Sequence, residues 1–293
     1  MTSVFYYQKK SILFQICFLC ILVFQMMCGI AAGADTLFPK RVISLSPVIT
    51  ETIYLLNAQK LLIANTSYCN VPVAAQSKQK IGSVTQMNVE KIISMQPDIV
   101  IASSLSNEKQ IKILHNQKIK VIKIKNPETF VQMCEITREI GTILGYKTNA
   151  EKIIKKAARE VEKIEHKTAM LPKKKVFIQI GMKPLYSANK DSFINEYIKY
   201  GGGINIVENE RTGIYSREKV LTQNPDIILI ATMGSSKKAG KIEKLRWMNF
   251  KFLNAVINQQ IYVLDPEFIC SPTPVTFAKG LQDVAALIHP DLI

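Results

Sequence analysis

The chain carries one twelve-residue pattern twice, and this repetition limits its architecture more than any other feature. Residues Glu90-Lys91-Ile92-Ile93-Ser94-Met95-Gln96-Pro97-Asp98-Ile99-Val100-Ile101 match Glu218-Lys219-Val220-Leu221-Thr222-Gln223-Asn224-Pro225-Asp226-Ile227-Ile228-Leu229. In each copy a helical run opens on Glu-Lys and is ended by a proline, which has no N–H to donate and biases its predecessor towards extended backbone. An aspartate then starts a turn, and a β-branched run follows as a buried strand. Between the copies, residues 148–169 contain no Gly or Pro, and Ile153, Ala157, Val161 and Ile164 fall at spacings of four, four and three. Glu151 with Lys155 and Glu162 with His166 sit one helical turn apart. Such a run predicts a continuous helix of roughly 33 Å, the width of a small domain. Two similar halves joined by a helical strut are expected.

The rest of the chain repeats one grammar. The runs 41–46, 61–67, 98–103 and 120–124 in the first half, and 175–180, 226–231 and 260–265 in the second, are short and rich in Ile and Val. Segments with helical apolar spacing separate them, among them 48–57 and 107–117. Alternation of this kind predicts mostly parallel sheets covered on both faces. Gly201-Gly202-Gly203 follows a predicted helix over 191–200 and is expected to end it and lead the chain tightly into 204–207.

Residues 1–34 read as an export signal. Lys9 and Lys10 precede an apolar stretch, and Ala32-Gly33-Ala34 offers a small-residue cleavage pattern before Asp35. Uncleaved, the segment is long enough to tether the chain to a membrane. The expected organisation is 1–34 signal, 35–147 first α/β lobe, 148–171 interdomain helix and 172–293 second α/β lobe. Cys69, Cys134 and Cys270 remain after cleavage, so at most one disulfide can form and no disulfide framework exists.

The net charge of +15 raises the question of an anionic partner. Of the 38 basic residues 6 are Arg and 32 are Lys. Arginine supplies the planar fork that reads phosphates and base edges, so a lysine coat argues against nucleic acid as the partner. Loss of Lys9 and Lys10 would lower the charge only to +13. Enzyme signatures are absent: no nucleophile elbow, dinucleotide fingerprint, phosphate loop or His-Glu-x-x-His helix occurs. His115, His166 and His289 lie far apart among polar neighbours and read as solvated surface residues, and no cofactor is called for.

The order and spacing of several segments resemble the periplasmic substrate-binding proteins of ABC importers for cobalamin and ferric siderophores, over about residues 40–290. Arg41-Val42-Ile43-Ser44-Leu45-Ser46-Pro47 followed by Thr50-Glu51 matches the family's first strand and helix, with Ser46 as the cap and Pro47 in the first turn. Ile81-Gly82 to Met87-Asn88-Val89-Glu90, Lys175-Val176-Phe177-Ile178-Gln179 and Tyr215-Ser216-Arg217-Glu218 match later segments. The resemblance implies a class III periplasmic-binding fold: two similar α/β lobes joined by one long rigid interdomain helix. It implies a monomeric, non-enzymatic protein, exported to the periplasm or tethered outside the membrane. A bulky metal chelate (cobalamin, a ferric siderophore or haem) would be held between the lobes and passed to an ABC permease with its ATPase. Glu90 and Glu218 would dock on the permease. Tyr68, Tyr186 and Asp265 match ligand-contacting positions. Val84, Ser103 and Thr212 (or Gly213) stand where cobalamin binders place tryptophans, Ile269 stands in place of an arginine, and the sole tryptophan, Trp247, falls in a predicted surface helix. Other readings are a transition-metal receptor, which needs clustered His and carboxylates, and an interaction protein that kept the fold without the ligand.

Overall fold

The structure, a computed structural model, describes residues 38–232 and 237–292. The expected export signal, with its cleavage site, lies outside these residues. Residues 39–293 form one compact unit.

Two sheets organise that unit. The first contains β1 (Val42–Ser44), β2 (Leu62–Asn65), β3 (Gln79–Lys80), β4 (Ile99–Ser103) and β5 (Val121–Ile124) in the order β3-β2-β1-β4-β5. Every pairing in it is parallel. The helices α1 (Pro47–Leu55), α2 (Val89–Ser94), α3 (Glu108–Asn116) and α4 (Phe130–Leu144) connect and follow these strands. The strut is α5 (Lys147–Thr168), one residue from each end of the run 148–169 and three residues short of the expected interdomain limit at 171. Beyond it, β6 (Lys174–Gln179) leads into the antiparallel hairpin β7 (Gly181–Met182) and β8 (Leu185–Tyr186). Next come α6 (Phe193–Tyr200), β9 (Gly203–Asn205), α7 (Arg217–Gln223), β10 (Ile227–Ile230), α8 (Lys237–Met248), α9 (Asn254–Ile257), β11 (Ile261–Val263), α10 (Pro266–Cys270) and α11 (Pro274–Ile288). The second sheet runs β11-β10-β6-β9, again parallel throughout. The fold is therefore two α/β lobes joined by one long helix.

All seven runs expected as strands contain strands: 175–180 keeps its length, shifted by one residue, and the others are one to three residues shorter than read. Side chains on alternate faces of each sheet enter different cores. Val42, Ile99 and Ile101 face one cluster, and Ile43, Val100 and Ala102 the other. In the second sheet Val176, Ile178 and Leu229 divide in the same way from Phe177, Ile228 and Ile230. One of these cores crosses the lobes. It joins Phe130 and Met133 of α4, Ile154 and Val161 of α5, and Tyr197 and Phe277 of the second lobe. Phe277 stacks on Tyr197 at 4.3 Å between ring centroids and lies 5.1 Å from Phe130. Such shared packing opposes free hinging of one lobe on the other.

The repeat is structural as well as textual. In the first lobe the Asp98 carboxylate accepts from the backbone N–H of Arg41 at 2.8 Å, and its own N–H donates back to Arg41 O at 2.9 Å. In the second, the Asp226 carboxylate accepts from Lys175 N–H at 2.9 Å and its N–H donates to Lys175 O at 2.9 Å. Each Pro-Asp turn thus clasps the start of the neighbouring central strand. The residues before the prolines, Gln96 and Asn224, both take positive φ, +44° and +46°, a conformation uncommon outside glycine. Arg41 and Lys175 reach equivalent carbonyls, Met95 O and Gln223 O.

Three expectations are corrected. Trp247 lies in a helix but is fully buried, because Gly240, Glu243 and Trp247 share the face of α8 that packs on β10 and β11. The charge at Glu243 hid that face from the apolar pattern. His289 is buried too, its ring nitrogen 3.3 Å from Gly202 O, and burial holds the imidazole below its usual pKa. His115 and His166 are exposed as read. Ser46 precedes α1 and Pro47 begins it, but the Ser46 hydroxyl makes no capping bond. Among the described residues Cys69, Cys134 and Cys270 are free and buried.

Candidate functional site

In a parallel sheet the loops at the carboxyl ends of the strands share one edge, and ligands settle where the strand order reverses. Here the reversals fall between β1 and β4 and between β6 and β10. These two edges meet. Asn70, in the loop after β2, donates to Glu267 of α10, just after β11, at 3.0 Å. Deeper in, Thr273 at the start of α11 donates to Glu51 of α1 at 3.1 Å, and both are buried. Burial pushes the Glu51 carboxyl up to about 7, against the lowering effect of hydrogen bonds from Thr273 and Thr276. Glu51 therefore changes charge near neutrality at the seam between lobes, a role its place in the first helix did not reveal.

Each lobe presents an aromatic side chain from this edge. Tyr68 is 61% exposed and Tyr186 43%. Tyr68 rides on a tightly tied loop. Lys80 Nζ donates to Asn65 Oδ1 at 2.8 Å and to Ala75 O at 3.2 Å, and Ser67 N–H donates to Gly82 O at 2.8 Å. Below it the Cys69 thiol lies 3.2 Å from the Thr50 hydroxyl and 3.1 Å from that of Thr66. Tyr186 closes the β7–β8 hairpin and bridges to Ile214. Gly213 makes this seat: a Cβ there would come within 2.3 Å of Ser187 O and 2.5 Å of the Tyr186 ring. Thr212 is exposed beside this glycine, which the tyrosine requires.

The other predicted residues are placed as follows. Val84 is half-buried in the turn closed by Ser83 N–H to Gln86 O at 2.8 Å. Ser103 is buried, its hydroxyl accepting from Leu105 N–H at 3.3 Å. Asp265 caps α10 by accepting from Glu267 N–H at 3.1 Å. Ile269 belongs to the core shared by the lobes. Sequence reading missed Leu105 and Ile214, large apolar residues exposed in the loops after β4 and before α7. Loop position with an apolar side chain was their only signal.

Glu90 and Glu218 are exposed in the first turns of α2 and α7. Asn88 accepts from Lys91 N–H at 2.9 Å and Ser216 from Lys219 N–H at 3.2 Å, so each carboxylate sits one residue into a side-chain-capped helix. Hydrogen bonds from its own backbone N–H and from Ser216 hold the Glu218 carboxyl below its usual range. Behind Glu218, Arg217 lies over the Trp247 ring at 4.4 Å and pairs with Glu243, which also pairs with Arg246 and accepts from Gln179 Nε2 at 2.9 Å. Burial raises the Glu243 carboxyl, but the hydrogen bonds from Gln179 and the two arginines, with the charge of Arg217, bring it below its usual range.

Among the described residues no group of three or more His, Cys, Asp or Glu is placed to hold a metal ion. Burial raises the Cys134 thiol to about 11 and the Cys270 thiol to about 12, so neither ionises as a nucleophile near neutrality. Two parallel α/β lobes, a helical strut and aromatic loops at facing edges define a two-lobed solute-binding fold.

Comparison with known proteins gives the family. Its sequence profile, described as periplasmic binding protein, matches residues 42–268. The chain is 28% identical over 261 residues to an uncharacterized ABC transporter substrate-binding lipoprotein of Bacillus subtilis, covering 86% of this chain and 81% of that one. It is 30% identical over 214 residues to the vitamin B12-binding protein of Salmonella typhi, covering 71% and 77%. A solved periplasmic heme binding protein of Pseudomonas aeruginosa superposes with a TM-score of 0.78 at 19% identity, over 86% of this chain and 94% of that one. The chain belongs to the periplasmic binding protein family. Such proteins are transport components that bind a solute without transforming it, so the chain is not an enzyme.

Proposed function

We propose that the chain is the exported substrate-binding component of an ABC importer, holding cobalamin or a ferric chelate (siderophore or haem) between its lobes for delivery to the permease. One observation carries this reading: Tyr68 and Tyr186, one from each lobe, stand exposed on tied loops at sheet edges that touch. Large flat chelates are gripped by aromatic faces, and a tyrosine hydroxyl is also a known ligand of haem iron. Relatives named for vitamin B12 and a structural neighbour named for haem point the same way. The protein would act as a monomer outside the cytoplasmic membrane, free or tethered by residues 1–34. Asp265, Val84, Ser103 and Thr212 complete the proposed surroundings of the ligand, with Leu105 and Ile214 adding apolar contact.

Glu90 and Glu218 are the proposed docking carboxylates. One from each lobe fixes orientation on the permease better than a single patch would, and exposed charge mainly serves encounter and register. Their alternative use, favourable placement at a helix start, is worth only a few tenths of a kcal/mol at an exposed site. Replacing both with Ala should therefore leave the melting temperature within about 2 °C while permease-coupled uptake falls at least roughly tenfold. Unchanged uptake in reconstituted vesicles would remove the docking role.

A further inference from the structure

We infer that the outer face of α8 and the segment after it form a membrane-contact surface for anionic lipid. Ile242, Leu245 and Met248, spaced by three, are 46%, 63% and 39% exposed, and Phe252 and Ile257 beyond them are 61% and 64% exposed. Lys238 and Lys241 lie on the same exposed face of the helix, opposite buried Gly240, Glu243 and Trp247. From 238 to 257 the only acidic residue is Glu243, already buried between Arg217 and Arg246, whereas Lys238, Lys241, Lys244, Arg246 and Lys251 are cationic.

The interleaving selects the occupant. Protein interfaces deplete lysine from their apolar centres. A helix lying on a bilayer does the opposite: its aliphatic side chains enter the headgroup boundary while lysines extend to the phosphates. Cationic charge and exposed apolar surface together fit an anionic bilayer better than a protein groove. Core packing holds the face rigidly outward, since Trp247 donates to Gln179 Oε1 at 2.7 Å and its ring lies 5.7 Å from Phe177. Arg217 links α8 to the helix bearing Glu218, so lipid contact would lie beside the proposed docking carboxylate. The inference needs neither a bound ligand nor that docking role.

Vesicle co-sedimentation tests it. Residues 39–293 form a compact unit, so residues 35–293 are used, without the apolar leader. The protein should pellet with phosphatidylglycerol–phosphatidylcholine vesicles and far less with phosphatidylcholine alone. Leu245→Ser with Phe252→Ser should weaken binding more than tenfold without altering the melt. Replacing Lys238 and Lys241 with Gln should weaken it roughly fivefold per lysine. Lys120→Gln with Lys125→Gln, on the other lobe, should change it less than twofold. Absence of binding, or equal loss from the remote lysine pair, would overturn the inference. So would Leu245→Ser with Phe252→Ser impairing the permease complex while vesicle binding stays intact, and none of these results bears on ligand capture.

Discussion

Replacing Glu243 with Ala should lower stability by about 3–5 kcal/mol, the largest loss expected from a single polar side chain here. Its carboxylate is fully buried and is the shared acceptor for Arg217, Arg246 and Gln179. Removing it leaves the Arg217 guanidinium against the Trp247 ring with no anion, and Arg217 Nη1 is already buried without an acceptor. In a chain of this size the loss corresponds to a fall in melting temperature of roughly 10 °C. Arg246→Ala should cost far less, because that side chain is half in water and Arg217 would remain to balance the charge. Thermal melts of the two variants check the ordering. A loss below about 1 kcal/mol for Glu243→Ala would mean that water replaces the carboxylate and the network holds nothing together.

Glu51→Gln should stabilise the protein above neutral pH and leave it unchanged in acid. The folded Glu51 carboxyl titrates near 7, above its ordinary 4.5, so the folded state holds the proton more tightly than the unfolded chain. Below about pH 4.5 both states are protonated and burial costs nothing. As pH rises from 4.5 to 7 the unfolded chain ionises first, and by pH 8 the whole penalty, about 3 kcal/mol, weighs on the folded state. Gln keeps an acceptor for Thr273 and cannot ionise. Tyr197 and Cys270, the titratable groups coupled to this seam, are themselves buried acids held neutral at these pH values. Melts of both proteins between pH 4.5 and 8 should coincide in acid and separate by several degrees at the alkaline end. Parallel curves would show that Glu51 is solvated at the seam and does not titrate there.

The fold was legible because its signals are local. Buried strands such as Ile99–Ser103 announce themselves by β-branched runs, and 22 residues of helical apolar spacing with no Gly or Pro leave nothing to interrupt a long helix. The repeat was legible because its Pro-Asp turn is sequence chemistry, and Asp98 and Asp226 perform identical backbone duties. Trp247 was misplaced because a buried ion pair put Glu243 on its inward face, and charge reads as surface until its partners are known. The seam between Glu51 and Thr273 joins positions 222 residues apart, a separation no local pattern encodes. Tyr68 and Tyr186 were found by resemblance, whereas the steric demand of Tyr186 on Gly213 is visible only in three dimensions.

The central claim, capture of a metal chelate between the lobes, is tested most directly by titrating purified residues 35–293 with cyanocobalamin, haemin and several ferric siderophores. One of them should bind saturably with a Kd of about 1 μM or tighter. Tyr68→Ala combined with Tyr186→Ala should weaken that binding at least tenfold with only a small fall in the melt, since Tyr68 is mostly and Tyr186 partly in solvent. If none of these chelates binds, the chain does not perform this function and is an interaction protein that retains the fold; if the double variant binds as tightly as the parent, Tyr68 and Tyr186 do not hold the ligand between the lobes.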